Sequence, residues 1–240
     1  MKIEIKRYTS EPEIKEEVLA YEVELEDPTL LEVLNHIKTT QDSSLSFSSG
    51  CRSSVCGSCS MRVNGREVLA CAYKVQEGDM IEPLQNVPVI RDLVVDMEKA
   101  YETNTRAKAW LEGSSEVALS PEDEKRNARQ SDCIMCGSCY SACPVYAVNE
   151  EFLGPFALTR VWRYVSDGRE EGEEAKIHNI QSNGVWDCTL CNECTLVCPQ
   201  DISSKADIEK LRATSAQYGF MDPNFGSFGG GFGFDGSPSF

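Results

Sequence analysis

Basic residues are scarce in this chain. Of its 240 residues, 23 are Lys or Arg and 39 are Asp or Glu, so the formal net charge is −16. A chain this acidic has no general electrostatic field that attracts nucleic acid or anionic lipid. We therefore expect no nucleic-acid partner.

Long apolar runs are missing as well. No stretch approaches the roughly 20 apolar residues that a membrane-spanning helix needs, and Met1–Arg7 lacks the apolar core of a signal peptide. For this length we expect one or two domains. We expect a cytoplasmic chain without a transmembrane span, which associates with the cytoplasmic membrane, or crosses it, only through partner subunits.

Cysteine, in contrast, is abundant, and the 12 cysteines fall into three sets of four. Two sets repeat one ladder, C-x2-C-x2-C-x3-C-P, over residues 133–144 and 188–199. This spacing is typical of bacterial ferredoxins with two iron–sulfur clusters, in which the fourth cysteine of each ladder ligates the other ladder's cluster. The predicted ligands are Cys133, Cys136, Cys139 and Cys198 for one cluster, and Cys188, Cys191, Cys194 and Cys143 for the second.

The third set has a different spacing, which matches the plant-type 2Fe–2S pattern. Its members are Cys51, Cys56, Cys59 and Cys71. Small residues separate them, including Gly50, Ser53, Ser54, Gly57 and Ser58. Such residues let a loop fold tightly around a cluster and direct backbone N–H groups at its sulfurs.

Two other uses of so many cysteines fit less well. A disulfide framework is typical of small secreted domains, and structural zinc sites use two separated C-x2-C pairs rather than sets of four with no remainder. Only two histidines are present, His36 and His178, and both lie outside the cysteine sets, which disfavours a Rieske centre with its two histidine ligands.

The hydrophobic pattern predicts an α+β fold in two domains. Residues 1–90 should form a small α+β module. Its expected elements are strands over 2–7 and 21–25 joined by a charged turn around 11–17, a helix starting at Asp27–Thr29, a hairpin at Asn64-Gly65 and a last strand near Met80–Leu84.

Residues 91–218 should form an all-helical domain that contains both ladders. The expected elements are a linking helix over 91–113 with Leu93, Val94, Met97, Tyr101 and Trp110 facing inward, a helix from Pro121 capped by Ser120, a helix over 152–164, an acidic turn at 167–174 and a closing helix over 203–216.

The tail, residues 219–240, differs in composition, with seven glycines and six phenylalanines. Such a stretch cannot build its own core. Two interpretations stay open: the tail is disordered, or its phenylalanines dock on a partner.

These motifs together resemble the iron–sulfur subunit of succinate dehydrogenase and fumarate reductase, over about residues 2–216. The resemblance rests on the 51–59 loop, Asn64-Gly65, Leu69-Ala-Cys71, the two ladders, and Gly154-Pro155 with Arg160 and Tyr164. It implies an N-terminal β-grasp ferredoxin domain and a helical, bacterial-ferredoxin-like domain. It also implies a flavoprotein subunit with covalent FAD and the dicarboxylate site as one partner, and a quinone-binding membrane subunit as the other.

The chain departs from typical family members at three positions. Typical members lack the second cysteine of the second ladder and hold a 3Fe–4S cluster there, whereas this chain has Cys191. We therefore expect one 2Fe–2S and two 4Fe–4S clusters. The alternative is that Cys191 is a spare thiol beside a 3Fe–4S cluster.

The other two departures concern the quinone site of typical members. Val148 replaces a tryptophan, and Thr189 replaces a histidine. The combination resembles the family's non-classical branch, whose partner is a cysteine-rich subunit. The resemblance implies a subunit that relays electrons through three iron–sulfur clusters, between the flavoprotein's dicarboxylate site and a quinone- or thiol-linked membrane-associated subunit. Two alternatives for the whole chain stay open: a relay subunit of another flavoprotein oxidoreductase, and a structural zinc protein.

Overall fold

The computed structural model describes residues 1–9, 15–113, 116 and 118–223. Its N-terminal part is a five-stranded sheet in the order β2-β1-β5-β3-β4. The strands are β1 (Lys2–Thr9), β2 (Lys15–Glu22), β3 (Ser60–Val63), β4 (Arg66–Leu69) and β5 (Met80–Glu82). β1 and β5 are parallel, and the other pairs are antiparallel.

Helix α1 (Leu30–Thr40) packs its apolar face on this sheet. It begins one residue after the expected Asp27–Thr29 start, because Thr29 and Glu32 form a capping box that satisfies the first free N–H groups. Its buried residues Leu30, Leu34 and Ile37 share one core with Ile5 and other strand residues. The burial of this single stripe explains why the segment is helical.

The hairpin prediction at Asn64-Gly65 is confirmed, since both residues have positive φ, 51° and 79°. The strand expected over 21–25 is wrong in its position. β2 ends at Glu22, and Leu25 is 36% exposed. The strand instead begins at Lys15, so residues 15–17 of the expected charged turn belong to β2, and residues 11–14 lie outside the described part.

The helix expected over 91–113 is also wrong. The segment begins with a hairpin, β6 (Val89–Arg91) and β7 (Val94–Val95), and only then forms α2 (Glu98–Arg106). Asp92 makes the turn at φ 47°, and its buried carboxylate accepts hydrogen bonds from Arg7 at 2.7 and 3.1 Å. This contact with β1 overrides the local helical pattern. Tyr101 and Trp110 are 45% and 41% exposed, so they do not face inward.

The rest of the described chain is helical. The helices are α3 (Pro121–Ser131), α4 (Ser138–Ser141), α5 (Pro144–Val148), α6 (Gly154–Val165), α7 (Glu173–Asn179), α8 (Glu193–Leu196) and α9 (Ser204–Gln217). The Ser120 cap and the α6 and α9 predictions are confirmed. The expected acidic turn at 167–174 gives way at Glu173 to α7, which sequence reasoning missed.

Helix α6 is the centre of this second part and packs against α3 and α9. The core of this part includes Phe152, Phe156, Leu158 and the buried Tyr140 of α4, whose ring contacts that of Phe156 edge to face. Within the part of the chain that the structure describes, no helix has both the length and the apolarity of a bilayer span. Most of the tail, 224–240, lies outside the described residues, so both interpretations of it stay predictions.

Candidate iron–sulfur centres

The loop that carries Cys51 and Cys56 directs backbone N–H groups at sulfur. Cys71 follows β4 in the sequence, and its Sγ lies 3.4 Å from Cys59 Sγ. The N–H···S contacts are those from Ser53, Val55 and Cys56 to Cys51 Sγ at 3.4, 3.3 and 3.3 Å, from Cys51 to Cys56 Sγ at 3.3 Å, and from Ser54 to Cys71 Sγ at 3.3 Å. The loop thus brings N–H donors to two of its own thiols and to that of Cys71, which fits a 2Fe–2S cluster.

Glycine is required at two positions of this loop. A Cβ at Gly50 would lie 2.9 Å from Cys56 Sγ. Gly57 has φ +72°, and a Cβ there would lie 2.7 Å from the Cβ of Cys136. The sequence prediction that small residues let the loop close tightly thus has a specific steric basis at these two sites.

The thiols of the first set differ in how readily they ionise. The Ser58 hydroxyl lowers the pKa of Cys56 to about 6, and the backbone N–H of Ser53 lowers that of Cys51. Burial raises the pKa of Cys59 to about 11. The exposed rim of the loop therefore favours thiolates, while the thiol facing the core needs a bound cation to ionise.

The structure brings the ladder cysteines together across the two motifs. One cavity is lined by Cys133, Cys136 and Cys139 of the first ladder and by Cys198 from the end of the second. A second cavity is lined by Cys188, Cys191, Cys194 and Cys143. Each cavity thus combines three cysteines of one ladder with the last cysteine of the other.

The two ladders also share their local backbone geometry. The residue before the second cysteine has positive φ in both, 52° at Met135 and 56° at Leu190. So does the residue after it, 82° at Gly137 and 74° at Asn192. Cys191 therefore occupies the same backbone position as Cys136, its counterpart in the first ladder.

Burial makes several of the ladder thiols hard to ionise without a bound metal. It raises the pKa of Cys194 to about 12 and that of Cys139 well above its ordinary value. Burial also raises the pKa of Cys136, although hydrogen bonds with the hydroxyl and the backbone N–H of Ser138 act in the opposite direction. Because a bound metal favours the thiolate, such a buried set is suited to a positively charged inorganic core.

Among the described residues, no group of three or more His, Cys, Asp or Glu closes around one metal ion. Each ladder cavity instead has four cysteines in its wall, the number of thiolates that hold an iron–sulfur cluster.

The first loop lies directly against the first ladder cavity. Gly57 contacts Cys136, and Gln200, two residues after Cys198, donates its side-chain N–H to the carbonyl of Ser54 at 3.3 Å. The first set of cysteines therefore adjoins the cavity of Cys133 rather than that of Cys188.

Sequence reasoning missed the polar contacts that fix this arrangement. Ser60 Oγ lies 2.9 Å from Ser138 Oγ, and Ser141 Oγ donates to the buried Glu67 at 2.6 Å. The side chain of Asn86 donates to the carbonyls of Tyr140, Ser141 and Cys143 at 3.1, 2.9 and 3.3 Å. The one available signal was the run of small residues inside the first ladder.

Among the residues outside the cysteine sets, Arg52 follows Cys51 and is exposed, and Tyr73 donates to Asp79 at 3.1 Å. Arg160 and Tyr164 contact each other on α6. Val148 is 86% exposed.

Comparison with protein families gives two matches along the chain. Residues 2–102 match a 2Fe–2S iron–sulfur cluster binding domain, and residues 129–202 match a 4Fe–4S dicluster domain. The order of these domains is the one expected from the three cysteine sets.

Curated relatives match over most of the chain. The fumarate reductase iron–sulfur subunit of Escherichia coli O6:H1 is 36% identical over 228 residues, covering 90% of this chain and 93% of its own. The corresponding subunit of Mycobacterium tuberculosis is 36% identical, covering 95% and 98%. The 8-methylmenaquinol:fumarate reductase iron–sulfur subunit of Wolinella succinogenes is 36% identical, covering 91% and 74%.

A solved structure agrees in fold. A chain of the Mycobacterium smegmatis Sdh1 complex in the apo form superposes with a TM-score of 0.79 at 24% identity, covering 90% of this chain and 95% of that one. The fold and the cysteine sets define an iron–sulfur electron-transfer protein with a 2Fe–2S domain followed by a dicluster domain. Within that class, the chain belongs to the iron–sulfur subunits of fumarate reductase and succinate dehydrogenase, which are oxidoreductase complexes.

Proposed function

We propose that this chain relays electrons through three clusters held by its twelve cysteines. The 2Fe–2S cluster is assigned to Cys51, Cys56, Cys59 and Cys71, the first 4Fe–4S cluster to Cys133, Cys136, Cys139 and Cys198, and the second to Cys188, Cys191, Cys194 and Cys143. The observation that carries this assignment is the pair of cavities, each lined by three cysteines of one ladder and the last of the other. No residue of the chain is assigned a role as acid, base or nucleophile toward substrate.

The order of the relay follows from proximity. Gly57 contacts Cys136, and Gln200 reaches the carbonyl of Ser54, so the first 4Fe–4S site adjoins the 2Fe–2S loop. The second 4Fe–4S site shares its ladders with the first. Electrons therefore pass in the order 2Fe–2S, first 4Fe–4S, second 4Fe–4S, or in reverse.

The fold and domain limits support the same scheme. We assign the sheet with parallel β1 and β5 and with α1 on one face to the β-grasp class. The sequence predicts domains at residues 1–90 and 91–218, followed by the tail at 219–240. Because the β6–β7 hairpin packs on β1, we propose moving the boundary between the two domains from residue 90 to just after residue 95.

Partners at the two ends of the relay follow from the family. At the 2Fe–2S end we propose an FAD-containing flavoprotein subunit with a dicarboxylate site. At the other end we propose a membrane-associated subunit that is cysteine-rich or binds a quinone. One relative is named for 8-methylmenaquinol and fumarate, and we propose the same substrate classes here. The chain would then lie at the cytoplasmic membrane without spanning it.

Cys191 decides the type of the third centre. Because it has the backbone position of a ladder ligand, we propose a second 4Fe–4S rather than a 3Fe–4S cluster. Replacement Cys191→Ser should convert the low-temperature EPR spectrum of this centre toward the three-iron type. The matched variant Thr189→Ser, two residues away, should leave it unchanged. An unaltered spectrum in Cys191→Ser would remove Cys191 from the ligands.

Metal content tests the proposal as a whole. Protein purified anaerobically should contain about ten iron atoms per chain with matching acid-labile sulfide. Zinc without sulfide would mean a structural zinc protein instead. Co-purification of a flavoprotein, with succinate or fumarate turnover by the complex, separates the proposed complex from another flavoprotein oxidoreductase.

A further inference from the structure

Two cysteine motifs in this chain have the same sequence and the same local geometry. They are Cys56-Gly57-Ser58-Cys59 and Cys136-Gly137-Ser138-Cys139, with φ of +72° and +82° at the glycines. In each, the serine Oγ lies against the Sγ of the cysteine two residues before it, at 3.1 Å for Ser58 and at 3.4 Å for Ser138, where the neutral Cys136 thiol is the donor. The corresponding residue of the second ladder is Glu193, which has no hydroxyl.

Ser138 differs from Ser58 in having a second hydroxyl partner. Its oxygen lies 2.9 Å from Ser60 Oγ, at the start of β3. Both serines are buried, with 2% and 7% of their surface exposed. The contact joins the N-terminal sheet to the first ladder.

The direction of the two hydrogen bonds follows from the state of Cys136. A cysteine bound to iron is a thiolate and can only accept a hydrogen bond. The Ser138 hydroxyl therefore donates to Cys136 Sγ, and its oxygen accepts from the Ser60 hydroxyl. This gives a directed chain from β3 to a ligand of the first cubane site.

We propose that Ser138 is a positioning residue that raises the reduction potential of the first 4Fe–4S cluster, and that Ser60 strengthens it from the N-terminal domain. The inference rests on the proposed role of Cys136 as a ligand. Reduction adds negative charge to the cluster and its sulfurs, so a donor at Sγ stabilises the reduced state more than the oxidised one. Because neighbouring hydrogen bonds polarise one another, the Ser60 hydroxyl increases the effect. The potential of this centre is thereby coupled to correct packing of the two domains.

Redox-titrated EPR of the intact complex tests this on three variants. Ser138→Ala should lower the equilibrium constant for reduction of the first 4Fe–4S cluster about tenfold. For one electron, this is a drop of about 59 mV in the midpoint potential. Ser60→Ala should give a smaller drop in the same direction. Ser138→Thr, which keeps the hydroxyl, should stay close to wild type.

The matched control is Ser141→Ala. Ser141 lies on the same helix α4 and in the same interface, but its hydroxyl donates to Glu67 rather than to a thiolate. An unchanged midpoint in Ser138→Ala, or an equal drop in Ser141→Ala, would overturn the inference. Should Ser138→Ala fail to fold, an unchanged midpoint in Ser60→Ala would overturn it as well. Absence of the cubane signal from wild-type protein would instead remove the ligand assignment itself.

Discussion

Gly57 shows how a single residue limits the separation of two centres. Its backbone lies against Cys136, where a Cβ would be 2.7 Å from Cβ of Cys136 and 2.9 Å from the carbonyl oxygen of Ile134. No side chain fits there without moving the 2Fe–2S loop away from the first ladder. The glycine therefore keeps the loop of the first cysteine set against the first ladder.

Gly57→Ala should consequently lower the free energy of unfolding by more than backbone strain alone would. Its φ of +72° costs an alanine about 1 kcal/mol, and the clash adds about 1–3 kcal/mol of overpacking. Gly78→Ala is the matched control, because Gly78 has φ +83° with nothing within 4 Å of its Cβ position. Thermal unfolding of the two cluster-loaded variants measures the difference. Equal losses in unfolding temperature would show that the contact with Cys136 does not constrain the loop.

At this scale, the sequence predicts the grouping of the cysteines better than the contacts around them. The cysteine sets follow from spacing, because a cluster of fixed size demands fixed intervals. The contacts of Ser60, Ser138 and Asn86 join segments that are distant along the chain, and no local pattern encodes them. Small residues in the ladder showed only that close packing was needed.

Among the elements, α9 carries a buried carboxyl group whose ionisation destabilises the folded state. Asp207 is fully buried against α3 and α6. Its Oδ1 accepts hydrogen bonds from Gln130 at 2.8 Å and from Lys210 at 3.4 Å, and Thr159 of α6 faces the carboxylate. Its Oδ2 has no hydrogen-bond partner among the described residues. Burial raises the pKa of Asp207 to about 6.

The sign of the resulting pH dependence follows from linkage. The folded state holds this proton up to about pH 6, whereas the unfolded carboxyl loses it near pH 4, so stability falls as pH rises between them. Asp207→Asn removes this pH-dependent loss of folding stability, which amounts to at most about 3 kcal/mol. The unfolding temperature of Asp207→Asn should therefore rise relative to wild type between pH 5 and pH 7.5. A difference that stays constant over this range would contradict the buried ionisation.

Element prediction succeeded where local chemistry was sufficient and failed where distant contacts decided. Ser120 and Thr29 cap their helices through adjacent residues, and both helices were predicted. The 91–113 segment has a helical apolar pattern, but Arg7 binds the carboxylate of Asp92, and residues 89–95 form a hairpin instead. A buried ion pair between residues 85 positions apart leaves no local signal.

For the whole molecule, the interleaving of the two ladders explains why the second domain must fold as one unit. Each cavity needs cysteines from both motifs, so neither ladder completes a site by itself. Helix α6 lies between the two ladders in sequence and packs against α4 of the first ladder and against α9, which follows the second. The sequence predicts this arrangement because the position of the fourth cysteine before proline is a known spacing rule.

The most direct test of the central claim is EPR of two cysteine variants in the intact complex. If the ladders share ligands, Cys198→Ser should alter the signal of the first 4Fe–4S cluster and leave that of the second unchanged, while Cys143→Ser should do the reverse. The opposite pattern, in which each substitution alters only the cluster of its own ladder, would contradict the account.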